Sequence, residues 1–122
     1  MKEQLPFVDQ HEIVVQAPSA AVWARLRAAV DRNPVLGRRA SFPEREETAG
    51  ERLFLAGRHR FATYQLAFEL QPTGAAETVV HAITHARFGR GLGAVYRALV
   101  IGSGGHAWVV RRFLRQLRRA PR

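Results

Sequence analysis

Chemistry in this chain has to come from five histidines, two tyrosines and scattered carboxylates, because its 122 residues include no cysteine. Without a thiol there is no thiolate nucleophile, no disulfide and no cysteine-type zinc site. The histidines are His11, His59, His81, His85 and His106. His81 and His85 are four apart, a spacing that brings two imidazoles to one metal only on a helix. Their segment, ETVVHAITHARF, alternates and is rich in β-branched residues, and on a strand the same spacing separates them by about 13 Å. No His-Glu-x-x-His motif or histidine–carboxylate cluster accompanies them, so no metal and no cofactor is expected. Glu44, Glu46 and Glu47 lack histidine partners at ligand spacing and read as solvated loop charges. Nucleophile elbow, P-loop and dinucleotide fingerprint are all missing. Residues 89–91 and 102–105 are glycine-rich but short, and neither follows a strand in a βαβ setting.

His106 stands apart. It falls on the apolar stripe of a helix-forming segment, which aims it inward. Histidine titrates near pH 6.5, so an inward imidazole suits general acid/base work; the structural alternative is a hydrogen bond to a neighbouring strand. Tyr64 and Tyr96 are its candidate acid/base companions, and Arg58 and His59 could meet a polar ligand end. Arg58 could grip a carboxylate through two parallel hydrogen bonds.

These side chains need a scaffold, and hydrophobic periodicity supplies one. Residues 7–16 suit a first strand. A helix follows from Pro18 or Ser19, with Val22, Leu26, Ala29 and Val30 on one stripe and Trp23 at its edge, and Asn33-Pro34 ends it. Residues 35–49 are irregular, with room for one short strand. Residues 52–56 form a strand and residues 57–59 a tight turn or bulge. Residues 60–71 alternate cleanly, with Tyr64, Leu66, Phe68 and Leu70 on one face. A turn at 72–75 leads to a strand over 77–88, with Val79, His81, Ile83 and His85 on one face and Val80, Ala82, Thr84, Ala86 and Phe88 on the other. Residues 89–119 then read as one long amphipathic helix, or two in line. Its stripe includes Leu92, Val95, Tyr96, Leu99, His106, Val109, Val110, Phe113 and Leu117. About 28 helical residues span roughly 40 Å, long enough for a sheet to wrap around. The expected fold class is α+β in one domain over 1–122, an antiparallel sheet burying one face under this helix.

The composition is that of a globular protein, 47% hydrophobic and 24% charged. No apolar run reaches the roughly 18 residues of a membrane span, and MKEQLPFVDQHE contains no signal-peptide core. A cytoplasmic protein is expected. The net charge of +9 is one-sided: residues 58–122 hold eleven arginines against only Glu69 and Glu77. Such a half could attract an anionic surface through Arg111, Arg112, Arg115, Arg118 and Arg119. No aromatic residue is expected among those arginines as a base-stacking platform requires, which argues against nucleic acid.

The order of elements resembles the SRPBCC superfamily, the START, Bet v 1 and polyketide-cyclase-like helix-grip proteins. The residues that carry the likeness are APSAAVWARL at 17–26, GRHRFATYQLAFEL at 57–70, ITHARF at 83–88 and GAVYRALVIGSGGHAWVVRRFLRQL at 93–117. The last stretch is similar to small bacterial members with an aromatic-bearing long helix and a histidine in its second half, here Tyr96 and His106. The resemblance implies a curved antiparallel sheet gripping the long helix, with a short N-terminal helix and an apolar cavity between sheet and grip. Relatives hold lipids, sterols, polyketides or hormones, and some catalyse cyclisation or dehydration. A small hydrophobic or amphipathic ligand would then be lined by Tyr64, Leu66, Phe68, Ala82, Thr84, Ala86, Tyr96, Leu99, His106 and Val110. The catalytic alternative is a cyclase or dehydratase using His106 with Tyr64 or Tyr96. Fold alone does not choose between the two.

Overall fold

Strict period-two alternation makes one face of each central strand apolar, and burying that face assembles the sheet. The computed structural model describes residue 5 and residues 7–34, 36–38, 42–59, 62–88 and 105–118. Within them the elements run β1 (Phe7–Val15), α1 (Ser19–Arg32), β2 (Glu44–Thr48), β3 (Arg52–His59), β4 (Ala62–Gly74), β5 (Glu77–Phe88) and α2 (Gly105–Gln116). The strands form one antiparallel sheet in the order β1-β5-β4-β3-β2. Both helices cover the same face, so the architecture is α+β, a five-stranded sheet with two helices.

The inner face is the one that alternation predicts. Ile13 and Val15 of β1, Leu53 and Leu55 of β3, Leu66, Phe68 and Leu70 of β4, and Val80 and Ala82 of β5 form one continuous core. It includes Val22, Leu26, Ala29 and Val30 of α1, with Trp23 packed at the edge, and Val110, Phe113, Leu114 and Leu117 around α2. The Thr78 side chain is also fully buried, and its hydroxyl donates to the Ala17 carbonyl at 3.0 Å, which removes the cost of burying it. Phe54, Ala56 and Ala67 make a small separate cluster on the outer face.

Three expectations change. The turn placed at residues 57–59 is strand: Gly57 pairs with Tyr64, Arg58 with Thr63 and His59 with Ala62. Glycine and a charged pair mimic a turn signal locally, yet the backbone bonds of a long neighbour keep the segment extended. The turn placed at 72–75 also moves along the chain, because β4 runs to Gly74 with an irregularity between Pro72 and Gly74. Glu44, Glu46 and Glu47 are not loop charges but part of edge strand β2. Charges on an edge strand discourage pairing with another chain. Here they also tie the edge to α1: Glu47 lies 2.7 Å from Arg27 and 3.2 Å from Arg45, which reaches Asp31 at 2.7 Å. Of the helix expected over 89–119, α2 is the described helical part and it ends at Gln116, with residues 117–118 in a turn; residues 89–104 and 119 lie outside the described residues.

Two glycines are required by geometry. Gly50, in the β2–β3 turn, has a φ of +76°, a region side chains rarely adopt. Gly37 follows α1, where an added Cβ would sit 2.7 Å from the Asp31 carbonyl and 2.8 Å from that of Val30. Gly37→Ala is therefore expected to lower stability by about 1–3 kcal/mol in urea unfolding. At the β4–β5 turn the exposed Glu77 carboxylate accepts from Thr73 Oγ1 at 2.7 Å and from Gln16 Nε2 at 3.0 Å. Donation by Thr73, then by Gln16, holds its pKa below the ordinary 4.5. The lowered value means that its contribution to stability is present above the ordinary value and is lost as pH falls through the lowered one. An NMR titration should show this depression, and Thr73→Ala should move the midpoint back upward.

Candidate functional site

The inner face changes character along the strands. The row Ile13–Val80–Leu70 is wholly apolar, and the next row, His11–Ala82–Phe68, is polar only at the β1 edge. The row after that places Asp9 beside Thr84 and Thr84 beside Leu66; beyond it Ala86 faces Tyr64, which faces Gly57. Polar groups thus collect at one end of the face, while at the other end the Thr78 hydroxyl is bonded to the Ala17 carbonyl.

A bulge in β1 makes this arrangement. The register slips between Phe7 and Asp9, so the two residues fall on opposite faces although they are two apart. Phe7 goes outside, where its ring meets that of His85 edge-on at 5.8 Å. Asp9 goes inside with His11. The His11 Nε2 atom lies 3.1 Å from Asp9 Oδ2, and the two side chains are only 14% and 26% exposed. A carboxylate beside one ring nitrogen orients an imidazole and leaves the other nitrogen to exchange a proton. Thr84 is buried, and Tyr64 is half-buried with its hydroxyl closed off from solvent. Asp9 and Tyr64 are two strands and one inner row apart, about 12 Å between Cα atoms.

Helix α2 is aimed at this end. Phe113 packs on Phe68 with ring centroids 5.3 Å apart. The Leu117 carbonyl, just beyond the helix, accepts from Arg25 Nη1 at 3.2 Å, and Arg118 Nε donates to the Val14 carbonyl at 3.3 Å. The C-terminus of α2 therefore sits at the Val14 end of β1, and its N-terminus points toward Asp9 and Thr84. Eight residues from Phe113 back to Gly105 rise about 12 Å, the length of nearly four strand residues.

Of the residues singled out from the sequence, Leu66, Phe68, Ala82 and Val110 belong to the continuous core. Thr84 and Ala86 are buried on the same face beyond it, with Tyr64 alongside. Tyr96 and Leu99 lie outside the described residues, as does the side chain of His106, whose backbone opens α2. Arg58 is exposed on the outer face opposite Thr63, one residue out of step with Tyr64, so it does not line the inner face. His81 and His85 are also on the outer face. His81 lies within hydrogen-bond distance of Gln10, Glu12 and Gln71. Among the described residues no group of three histidine or carboxylate side chains could hold a metal ion. Asp9 and His11 were overlooked in the sequence; the available signal was Asp-x-His in a strand, two residues that share a face.

Two other surfaces bear on function. A hollow of about 160 Å³ lies on the outer face, lined by Arg52, Phe54, Gln65, Ala67, Glu69, Ile83 and His85. It is smaller than the roughly 300–1,000 Å³ of ligand pockets. Arg52 crosses it, 3.4 Å from Glu69 and 5.0 Å from the centre of the Phe54 ring. On α2, Arg111, Arg112 and Arg115 are exposed, as is Arg118 in the turn that follows. The expectation that no aromatic stands among them is wrong: Trp108 is 56% exposed with the Arg112 guanidinium over its ring at 5.4 Å. Trp108 lies two positions before buried Val110, which turns it to the far side of the helix, and Val109, expected on the apolar stripe, is 57% exposed instead. No helix among the described residues is long and apolar enough to cross a membrane.

No family model matches the chain, and no curated protein matches it. Among solved structures the fold is similar to that of BexL, a di-domain ARO/CYC protein of the BE-7585A biosynthetic pathway. The match has 20% identity and a TM-score of 0.59, over 92% of this chain and 45% of BexL. This chain therefore spans less than half the length of that protein. Truncated norcoclaurine synthase from Thalictrum flavum aligns at 14% identity and a TM-score of 0.46, over 95% of this chain and 97% of the synthase. A conserved protein from Geobacillus kaustophilus aligns at 12% and 0.46, over 89% and 91%. The likeness to BexL is one of fold.

The contact of Asp9 with His11 has a direct spectroscopic consequence. Imidazole ¹⁵N spectra of the neutral ring should show the proton of His11 on Nε2, and Asp9→Ala should abolish that tautomer preference. A proton on Nδ1 in the unaltered protein would contradict the pairing.

Proposed function

We propose that this chain is a small SRPBCC-like helix-grip domain that binds an apolar or amphipathic molecule, of lipid, polyketide or aromatic type, between its sheet and a long C-terminal helix. In this reading Tyr96, Leu99 and His106 close the ligand against Leu66, Thr84, Ala86 and Tyr64. The observation that carries it is the graded inner face: a hydrocarbon floor ending in Asp9, His11, Thr84 and the Tyr64 hydroxyl. Such a surface suits a molecule with an apolar body and one polar end. The fold likeness to BexL, an ARO/CYC protein of a biosynthetic pathway, is in keeping with this reading. We place the protein in the cytoplasm, where a chain without cysteine has no need of an oxidising compartment.

The pairing of His11 with Asp9 favours a second reading, a cyclase or dehydratase. An imidazole oriented by a carboxylate can take a proton from a carbon beside a carbonyl and later return a proton to a leaving hydroxyl. His106 with Tyr64 or Tyr96 would serve as further acid/base groups.

Calorimetric titration against lipids and aromatic polyketides separates the readings. Binding is expected, weakened at least about tenfold by Ala86→Phe, which fills the floor, and unchanged by Arg58→Ala on the outer face. Absence of binding, or equal effects of the two variants, would refute the ligand site. Turnover lost in His11→Asn while binding persists would establish the enzyme; turnover unaffected by His11→Asn, or none at all, would dismiss that dyad.

A further inference from the structure

The geometry points to the outward face of α2 as a docking surface for an anionic lipid bilayer, with Trp108 as its anchor. Val110, Phe113, Leu114 and Leu117 turn inward and are buried. At 100° per residue, Trp108, Arg112 and Arg115 lie on the opposite side, flanked by Arg111 and Arg118. Trp108 and Val109 are 56% and 57% exposed, two of the four large apolar side chains that the described residues leave in solvent. The arginines beside them have no acidic company on the helix: after Glu77 the chain contains no Asp or Glu. None of them stands in an ion pair with another described residue.

Charge complementarity calls for an anionic partner, and the apolar apex decides which kind. Tryptophan settles at the headgroup level of a bilayer, where its ring is half in hydrocarbon and its N–H stays wet. Arginines around it meet phosphate oxygens while their stems cover hydrocarbon. Single-stranded nucleic acid would want several aromatic platforms in succession, and this face offers one, already under the Arg112 guanidinium. The helix lies flat on the sheet and no described helix crosses a membrane, so contact would be peripheral. This surface is independent of what fills the inner face, and its test does not need the ligand.

Flotation of the full chain with phosphatidylcholine vesicles, with and without phosphatidylglycerol, tests it. Binding is expected only with the anionic lipid and should fall with salt. Arg112→Glu with Arg115→Glu should cut the partition coefficient at least about 30-fold, since each basic residue is worth about fivefold. Trp108→Ala should cost about tenfold. In a Trp23→Phe background, Trp108 fluorescence should shift to the blue on anionic vesicles and be quenched by brominated lipid chains. All substituted residues are exposed or half-buried, and thermal melts verify folding. No binding to anionic vesicles at low salt, or binding with Trp108 unquenched, would overturn the proposal. So would tighter retention on an oligonucleotide than on vesicles, which would assign the face to nucleic acid.

Discussion

The contact between Phe68 and Phe113 fixes most of what lies on the inner face. Among the described residues Phe68 is the largest fully buried side chain, at the centre of β4, and Phe113 comes from the far end of the chain to cover it. Such a pair adds about 0.5–1.5 kcal/mol to the burial of two phenyl rings. Its neighbour in the row is Ala82, whose small side chain leaves room for α2 to approach. With Phe113 seated, Leu114 and Leu117 follow into the core and Arg25 reaches the Leu117 carbonyl, where a cation also suits the C-terminal end of a helix dipole. One aromatic contact and one charged hydrogen bond thus set both the position and the direction of α2.

That direction leaves the two ends of the sheet with different tasks. Toward Val15 the inner face is closed by α1, α2 and a hydrogen-bonded Thr78, a pattern that only packs. Toward Asp9 the same face carries a carboxylate, an imidazole, a hydroxyl and a phenol within a few strand residues. Four polar side chains on an inner face cost stability unless each finds a partner. Their position at the end of the core, and not within it, keeps that cost away from the Phe68 contact.

How much of this was legible in the sequence depends on where the information resides. β4 and β5 were read almost residue for residue on their apolar faces, because period-two alternation in Leu66, Phe68 and Leu70 is written locally. The α1 stripe was legible for the same reason. β2 was not: Glu-Arg-Glu-Glu-Thr has no apolar face, and it is held by backbone bonds to β3 and by ion pairs to α1. The strand at 57–59 was hidden by Gly57, since its extension is imposed by β4. Asp9 and His11 escaped because they are polar residues on the inward phase of Ile13 and Val15, which an apolar periodicity does not mark, while the bulge turns only Phe7 to the other face. Val109 was misplaced on the apolar stripe because it adjoins Val110 in sequence, although one residue is 100° around the helix.

The central claim is that a small molecule is held on the inner face at its polar end. Backbone and methyl NMR during titration with an aromatic polyketide or a lipid tests it most directly. The account predicts that Thr84, Ala86, Leu66 and Tyr64 resonances move together along one binding curve while Phe54, Ala67 and Ile83 on the outer face stay fixed. Shifts confined to the outer face, or none on the inner face at saturating ligand, would contradict it.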